Sequence, residues 1–160
     1  GKRIISYFGG AYETPNVIKQ LSNGKIIVAG NTNNGSNNDA VIARFNSDGS
    51  TDTTFGTSGR IIINIGASES IADIAIQSDG RILFPGYTSS GGTNDLLLGR
   101  VTAAGALDTT FASGVGYLIK PIGTGTDMTN SIALLPDYSV VVSGYGRFGA
   151  SDRIFVAKYR

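Results

Sequence analysis

The 160-residue chain contains no cysteine and no histidine. Without cysteine there is neither a disulfide framework nor a thiolate zinc site, and without histidine the commonest metal ligand and general base is missing. Most familiar catalytic designs are thereby excluded, and no metal or cofactor is expected. No apolar run approaches the ~20 residues of a membrane-spanning helix. The longest, such as residues 61–63 and 96–98, are strand-sized, so no membrane insertion is expected. Charge is scarce and balanced: 13 Lys and Arg against 12 Asp and Glu leave a net +1. That field is too weak to draw in nucleic acid from a distance, and no nucleic-acid partner is expected. The first residues, Gly1-Lys2-Arg3, show neither an initiator Met nor an apolar leader, which leads us to expect a mature or excised form.

What is abundant is glycine, 23 residues, with Asn, Ser and Thr crowding the segments between short apolar runs. Many short strands joined by tight polar turns give this pattern, so an all-β chain is expected. The runs also repeat: NGKIIVAG (23–30), DGRILFPG (79–86) and DYSVVVSG (137–144) end on Gly30, Gly86 and Gly144, spaced 56 and then 58 residues. NDAVIARF (38–45), NDLLLGRV (94–101) and SDRIFVAKY (151–159) form a second series, and Gly9, Gly66 and Gly123 a third. The linking segments SDGSTDTTFG (47–56) and AAGALDTTFA (103–112) occur in two copies, and the last copy is truncated.

Each unit offers four strand candidates, for example 73–77, 81–86, 95–101 and 117–122, which is the pitch of a propeller blade. IIVAG, VIARF and IIINI are apolar without clean alternation, as expected where both faces of a sheet are buried. Mid-strand Ala43, Gly99 and Ala157 suit close sheet contact, and Gly30, Gly86 and Gly144 at strand ends suit a local bulge.

The succession of NGKIIVAG, NDAVIARF and SDGSTDTTFG resembles the delta-60 repeat family of bacterial β-propeller proteins over nearly the whole chain, with kelch-like four-stranded blades. The third copy departs from it: Tyr138 replaces the turn glycine, Pro136 replaces a Ser, and DTTF is missing, so an altered turn is expected. The resemblance implies a bacterial surface or secreted setting.

The expected fold is all-β, one domain of residues 1–160, a β-propeller fragment of three four-stranded blades with repeats at about 1–58, 59–115 and 116–160. Three blades fall below the ~4–8 that close a ring. Residues 3–8 align with the outer-strand candidates at 60–65 and 117–122, so they are expected to complete the last blade of a partner or of a missing remainder. A homodimer of six blades is the expected assembly, through strand exchange or blade edges, and a nine-bladed trimer the alternative.

For function, GYGRFG (144–149) has dinucleotide-loop spacing, but a strand and not a helix follows it, which removes the pyrophosphate site. The Asn-rich segment 31–39 has too few carboxylates for a calcium loop. Asp39, Asp95 and Asp152 are read as turn caps, as are Asp52 and Asp108, with Phe55 and Phe111 as wedges between blades. Arg44, Arg100 and Lys158 recur as partners for the acidic turn groups or as edge cations.

Glu13, Glu69 and Asp127 align five residues before Ile18, Ile74 and Ile132. This places an acid where one blade passes to the next, near the central opening, as candidate ligands for a cation or a polyol. The same face is expected to carry the loops 31–38, 87–94 and 145–151, where Tyr87, Tyr145, Arg147, Phe148, Asn33 and Asn34 mix flat apolar surface with hydrogen-bonding groups in the manner of sugar recognition. No nucleophile and base couple, and no paired acid and nucleophile, is visible. The expected function is a non-catalytic binding or interaction module for a glycan or protein ligand. A scaffolding element of a larger envelope protein and an enzyme with a site over the propeller axis are the alternatives.

Overall fold

In the computed structural model, which describes residues 12–160, the apolar runs fold as antiparallel strands that pair in chain order. The expected strand at 3–8, and Gly9, lie outside the described residues. The first sheet is β1 (Glu13–Gln20), β2 (Ile26–Asn33), β3 (Asn38–Phe45) and β4 (Arg60–Ile63), in that order. The second begins with an inner strand in two pieces, β5 (Ser68–Ile71) and β6 (Ala75–Ile76), both on β7 (Ile82–Ser90), followed by β8 (Thr93–Val101) and β9 (Tyr117–Lys120). The third, β10 (Asp127–Leu134), β11 (Val140–Phe148) and β12 (Ser151–Tyr159), has three strands among the described residues.

Side chains alternate across a strand, so each sheet offers two faces. Ile27, Ala29, Ala40, Ile42 and Ile63 of the first sheet meet Ile71, Ile82, Phe84, Leu97 and Val101 of the second in one buried cluster. The opposite face of the second sheet puts Leu83, Leu96 and Leu98 against Val140, Val142 and Phe155 of the third. The middle sheet is therefore apolar on both faces because it is covered on both. Each Ile, Leu, Val or Phe among them contributes about 1.5–3 kcal/mol when fully buried. Phe55 is fully buried in the first cluster and Phe111 packs against the second, the expected wedges between sheets.

Gly30, Gly86 and Gly144 mark bulges, but not strand ends. Register shifts between Pro15 and Val17 and between Thr129 and Ser131, opposite Gly30 and Gly144, and the break between β5 and β6 falls just past Ile71, the partner of Gly86. The inner strand presses so closely there that a Cβ on Gly30 or Gly86 would lie 1.9 Å from the carbonyl oxygen of Thr14 or Ser70. Beyond each bulge the second strand keeps pairing for several residues, so segments expected as loops are strand. The turn carrying Tyr138 is not altered either. Tyr138 adopts φ 62°, beside 81° and 82° at Gly24 and Gly80, and its N–H donates to Leu135 O at 2.9 Å as theirs do to Leu21 and Gln77. Two flanking strands hold the tyrosine in a left-handed conformation that favours glycine.

The close contact at Gly99 is with the neighbouring strand of its own sheet, where contact between sheets was expected. Gly99 pairs with Phe84, and a Cβ at Gly99 would sit 2.1 Å from the Phe84 ring. At the equivalent pairs, Val28 faces Ala43 and Val142 faces Ala157, so ring volume on one strand is balanced by a missing methyl on the next. Gly99→Ala is expected to cost about 1–3 kcal/mol in denaturant unfolding through overpacking. Adding Phe84→Val, which recreates the neighbouring pairs, should recover part of that loss. Strictly additive costs would contradict this compensation.

Candidate functional site

The hairpins between the second and third strands of each sheet emerge at one end of the stack. In the first, Asn34 to Asn37 make the turn: Asn33 Oδ1 accepts from Gly35 N at 2.9 Å and Asn34 Oδ1 accepts from Ser36 N at 2.9 Å. These Asx contacts replace backbone pairing in a tight turn. The other two turns are the short Gly91-Gly92 and Gly149-Ala150 links.

Five residues expected in loops stand instead in strands: Asn33 in β2, Tyr87 in β7, and Tyr145, Arg147 and Phe148 in β11. The reason is the continued pairing past the glycine bulges. Alternation then separates them. Tyr145 and Arg147 share the parity of Val141 and lie on the face of the third sheet turned away from the second, whereas Phe148 shares the parity of Val142 and faces the second sheet. Tyr87 shares the parity of Leu83 and faces the third sheet, so Tyr87 and Phe148 look toward one gap. Arg147 Nη1 stands 3.6 Å from Asp152 Oδ1 at the exposed hairpin base.

Glu13, Glu69 and Asp127 do lie at this same end, opposite Thr32, Thr88 and Gly146. They begin the inner strands and do not stand in the connections. Glu69 and Asp127 are fully buried, and Glu13 is half-buried beside the groove described below. Asp127 accepts from the amides of Ile122 at 2.7 Å and Gly123 at 3.0 Å, and Glu69 accepts from Ala67 N at 3.0 Å. Each of these two carboxylates folds back on the link that enters its own sheet. A buried carboxylate without such donors would be costly, which is why these acids are tied to the scaffold.

Glu69 has a second peculiarity. Burial, with the charge of nearby Asp39 adding to it, pushes its carboxyl above the ordinary value against the backbone amides that oppose the shift. Asp39 is itself buried and accepts from Asn34 Nδ2 at 3.0 Å. Glu69 Oε2, Asp39 Oδ1 and Thr32 Oγ1 are buried without a hydrogen-bond partner. This polar pocket at the seam of the first two sheets was not read from the sequence, where Asp39 counted only as a turn cap. Among the described residues no group of three or more acidic side chains comes together to hold a metal ion.

At the opposite end the DTTF segments build a repeated ion cluster. Lys25 Nζ and Arg44 Nε both donate to Asp52 Oδ2 at 2.6 Å, and Thr54 donates from N and Oγ1 to Oδ1. In the second sheet Arg100 Nε stands 2.8 Å and Arg81 Nε 3.0 Å from Asp108 Oδ2. Lys158 pairs with Asp137 at 3.1 Å in the third. The recurring cations thus pair with acidic turn groups, and Arg44 and Arg100 also lie over the Phe55 and Phe111 rings at 4.6 and 5.0 Å. The Lys25 ammonium and the Thr54 hydroxyl hold the Asp52 carboxyl far below its ordinary value, and Thr110 and Arg100 lower that of Asp108.

One further feature escaped the sequence. The face of the first sheet turned away from the second is an apolar groove of about 490 Å³ lined by Ile18, Ile26, Val28, Val41, Ala43 and Phe45 among others.

Stacked four-stranded meanders in which the outer strand of one sheet leads to the inner strand of the next are the blades of a β-propeller. Residues 21–55 and 77–111 match the family model described as Domain of unknown function (DUF5122) beta-propeller, each match running from the turn before the blade's second strand to the phenylalanine of DTTF. No curated protein matches the chain.

The two acid environments have opposite pH signs. Asp52 is depressed in the fold, so its stabilisation is present above the ordinary value of 3.8 and is lost as pH falls below it. Asp52→Asn should lower stability by about 1–3 kcal/mol at neutral pH and flatten the acid limb of the unfolding profile. Glu69 is raised, so the folded state is favoured below its ordinary value of 4.5 and loses that advantage as pH rises through the raised value. Glu69→Gln is therefore expected to match the wild type in acid and to exceed it at neutral pH, as read by thermal unfolding across the two conditions.

Proposed function

We propose that this chain is a non-catalytic interaction β-propeller that takes its ligand, a glycan, at the hairpin end. The observation carrying this reading is the division of labour at that end. Tyr87 and Phe148 face the gap between the second and third blades and the Asn34 turn of the first blade stands exposed at the same end, while Glu69 and Asp127 are shut inside and bound to backbone amides. Flat aromatic surface, with amide donors and acceptors at the same end of the stack, is suited to the apolar faces and hydroxyls of a sugar ring. The same division disfavours hydrolysis over the axis, because the one acid with a raised pKa has no access to solvent.

The repeats are read as delta-60 type on NGKIIVAG, NDAVIARF and DTTFG, and with that reading goes a bacterial secreted or surface setting. A scaffolding role in a larger envelope protein is the second reading, favoured by the apolar groove on the first blade.

A glycan array followed by titration calorimetry tests the proposal. Binding of at least one sugar class is expected, with Phe148→Ala and Tyr87→Ala each weakening it about tenfold, the equivalent of ~1.4 kcal/mol. Absence of binding to every sugar, together with capture of a protein partner by the intact chain, would replace the glycan with a protein ligand.

A further inference from the structure

The third blade exposes what the other two bury. Ile154 and Val156 are 86% and 70% exposed, although they occupy the repeat positions of Ala40 and Ile42 in the first blade and Leu96 and Leu98 in the second, all buried against the next sheet. The first blade shows the converse. Its groove residues Ile18, Ile26, Val28, Val41 and Phe45 stand at the positions of Ile74, Ile82, Phe84, Leu97 and Val101, which are buried against the preceding sheet. One free face thus has the pattern of a leading surface and the other that of the surface which receives it.

A polar contact repeats the match independently. Asn16, the bulged residue of β1, donates Nδ2 to Ser70 Oγ at 3.1 Å and to Ile71 O at 2.7 Å, stitching the first inner strand to the second. Asn130 is the bulged residue of β10, opposite Gly144, and is exposed. The positions corresponding to Ser70 and Ile71 in the first blade are Thr14, which keeps the hydroxyl, and Pro15, which keeps the carbonyl. Both line the free groove. The middle blade has Ala72 in place of the asparagine and joins its neighbour through Asp73, which accepts from Ile132 N at 3.2 Å.

We propose that a second copy of this chain seats its third blade on the first blade of its neighbour, and reciprocally, so that two copies close one ring. Asn130 of one copy then donates to the Thr14 hydroxyl and Pro15 carbonyl of the other, and Ile154 and Val156 fill the apolar groove. The contact is head-to-tail and made twice, as ring closure by a heterologous interface requires. Two copies of three sheets give six blades, inside the ~4–8 range of closed propellers, whereas three copies would exceed it.

Because the chain has no cysteine, the contact can be mapped directly. Sedimentation equilibrium of the wild type should give twice the protomer mass. Val156→Asp should give the protomer mass with an unchanged circular dichroism spectrum, since Val156 is exposed within one copy. Asn130→Cys and Thr14→Cys, placed on separate copies and mixed, should be joined by a short bismaleimide, and neither variant alone should be. A monomeric wild type, a larger ring, a dimer undisturbed by Val156→Asp, or linkage of Asn130→Cys to itself would each overturn the proposal.

Discussion

Face-to-face packing of sheets is the interaction on which the rest of this structure depends. A short meander of strands has little core of its own, so each blade acquires its stability from the sheet before it and the sheet after it. The middle blade has both, and Ile82, Phe84, Leu83, Leu96, Leu97 and Leu98 are all fully buried. Within each sheet the strands are also tightly fitted: the inner strand presses on its neighbour at Gly30, Gly86 and Gly144, and the Phe84 ring occupies the space a side chain at its cross-strand partner Gly99 would need.

That packing dictates where polarity can go. With the packed faces apolar, the carboxylate clusters collect at the two ends of the stack and serve the scaffold there, while Asp73, midway along its inner strand, joins Lys19 on one side and Ile132 N on the other. The DTTF aspartates gather Lys25, Arg44, Arg81 and Arg100 at one end and seat Phe55 and Phe111 between sheets. Glu69 and Asp127 tie the entering links at the other. The hairpin end also carries the Tyr87 and Phe148 rings and the exposed Arg147–Asp152 pair.

The repeat carried the architecture because it samples one local solution several times. The spacing of Gly30, Gly86 and Gly144 locates three equivalent bulges, the DTTF segments locate the wedges, and Arg44, Arg100 and Lys158 find their acidic partners. The candidate site was less legible. Tyr87, Tyr145, Arg147 and Phe148 read as loop residues because a glycine at a bulge and a glycine at a strand end look alike in sequence, and only pairing beyond the bulge tells them apart. Asp73 could not be found by comparing repeats, since its equivalents are Val17 and Ser131, yet it stands 3.6 Å from Lys19 and accepts from Ile132 N. The unpartnered oxygens of Asp39 and Glu69 likewise arise at a seam between two units.

The sequence by itself determined the blade: the number and order of strands, the turns before the second strands, and which groups bind each other within a unit, because these depend on neighbours a few positions away or on the adjacent strand. Only the tertiary structure decided what each blade's faces meet. Ile42, Leu98 and Val156 are equivalent in the repeat, yet the first two are buried and the third is exposed. Burial is a property of the neighbouring sheet, and no feature within a single repeat records whether that neighbour is there.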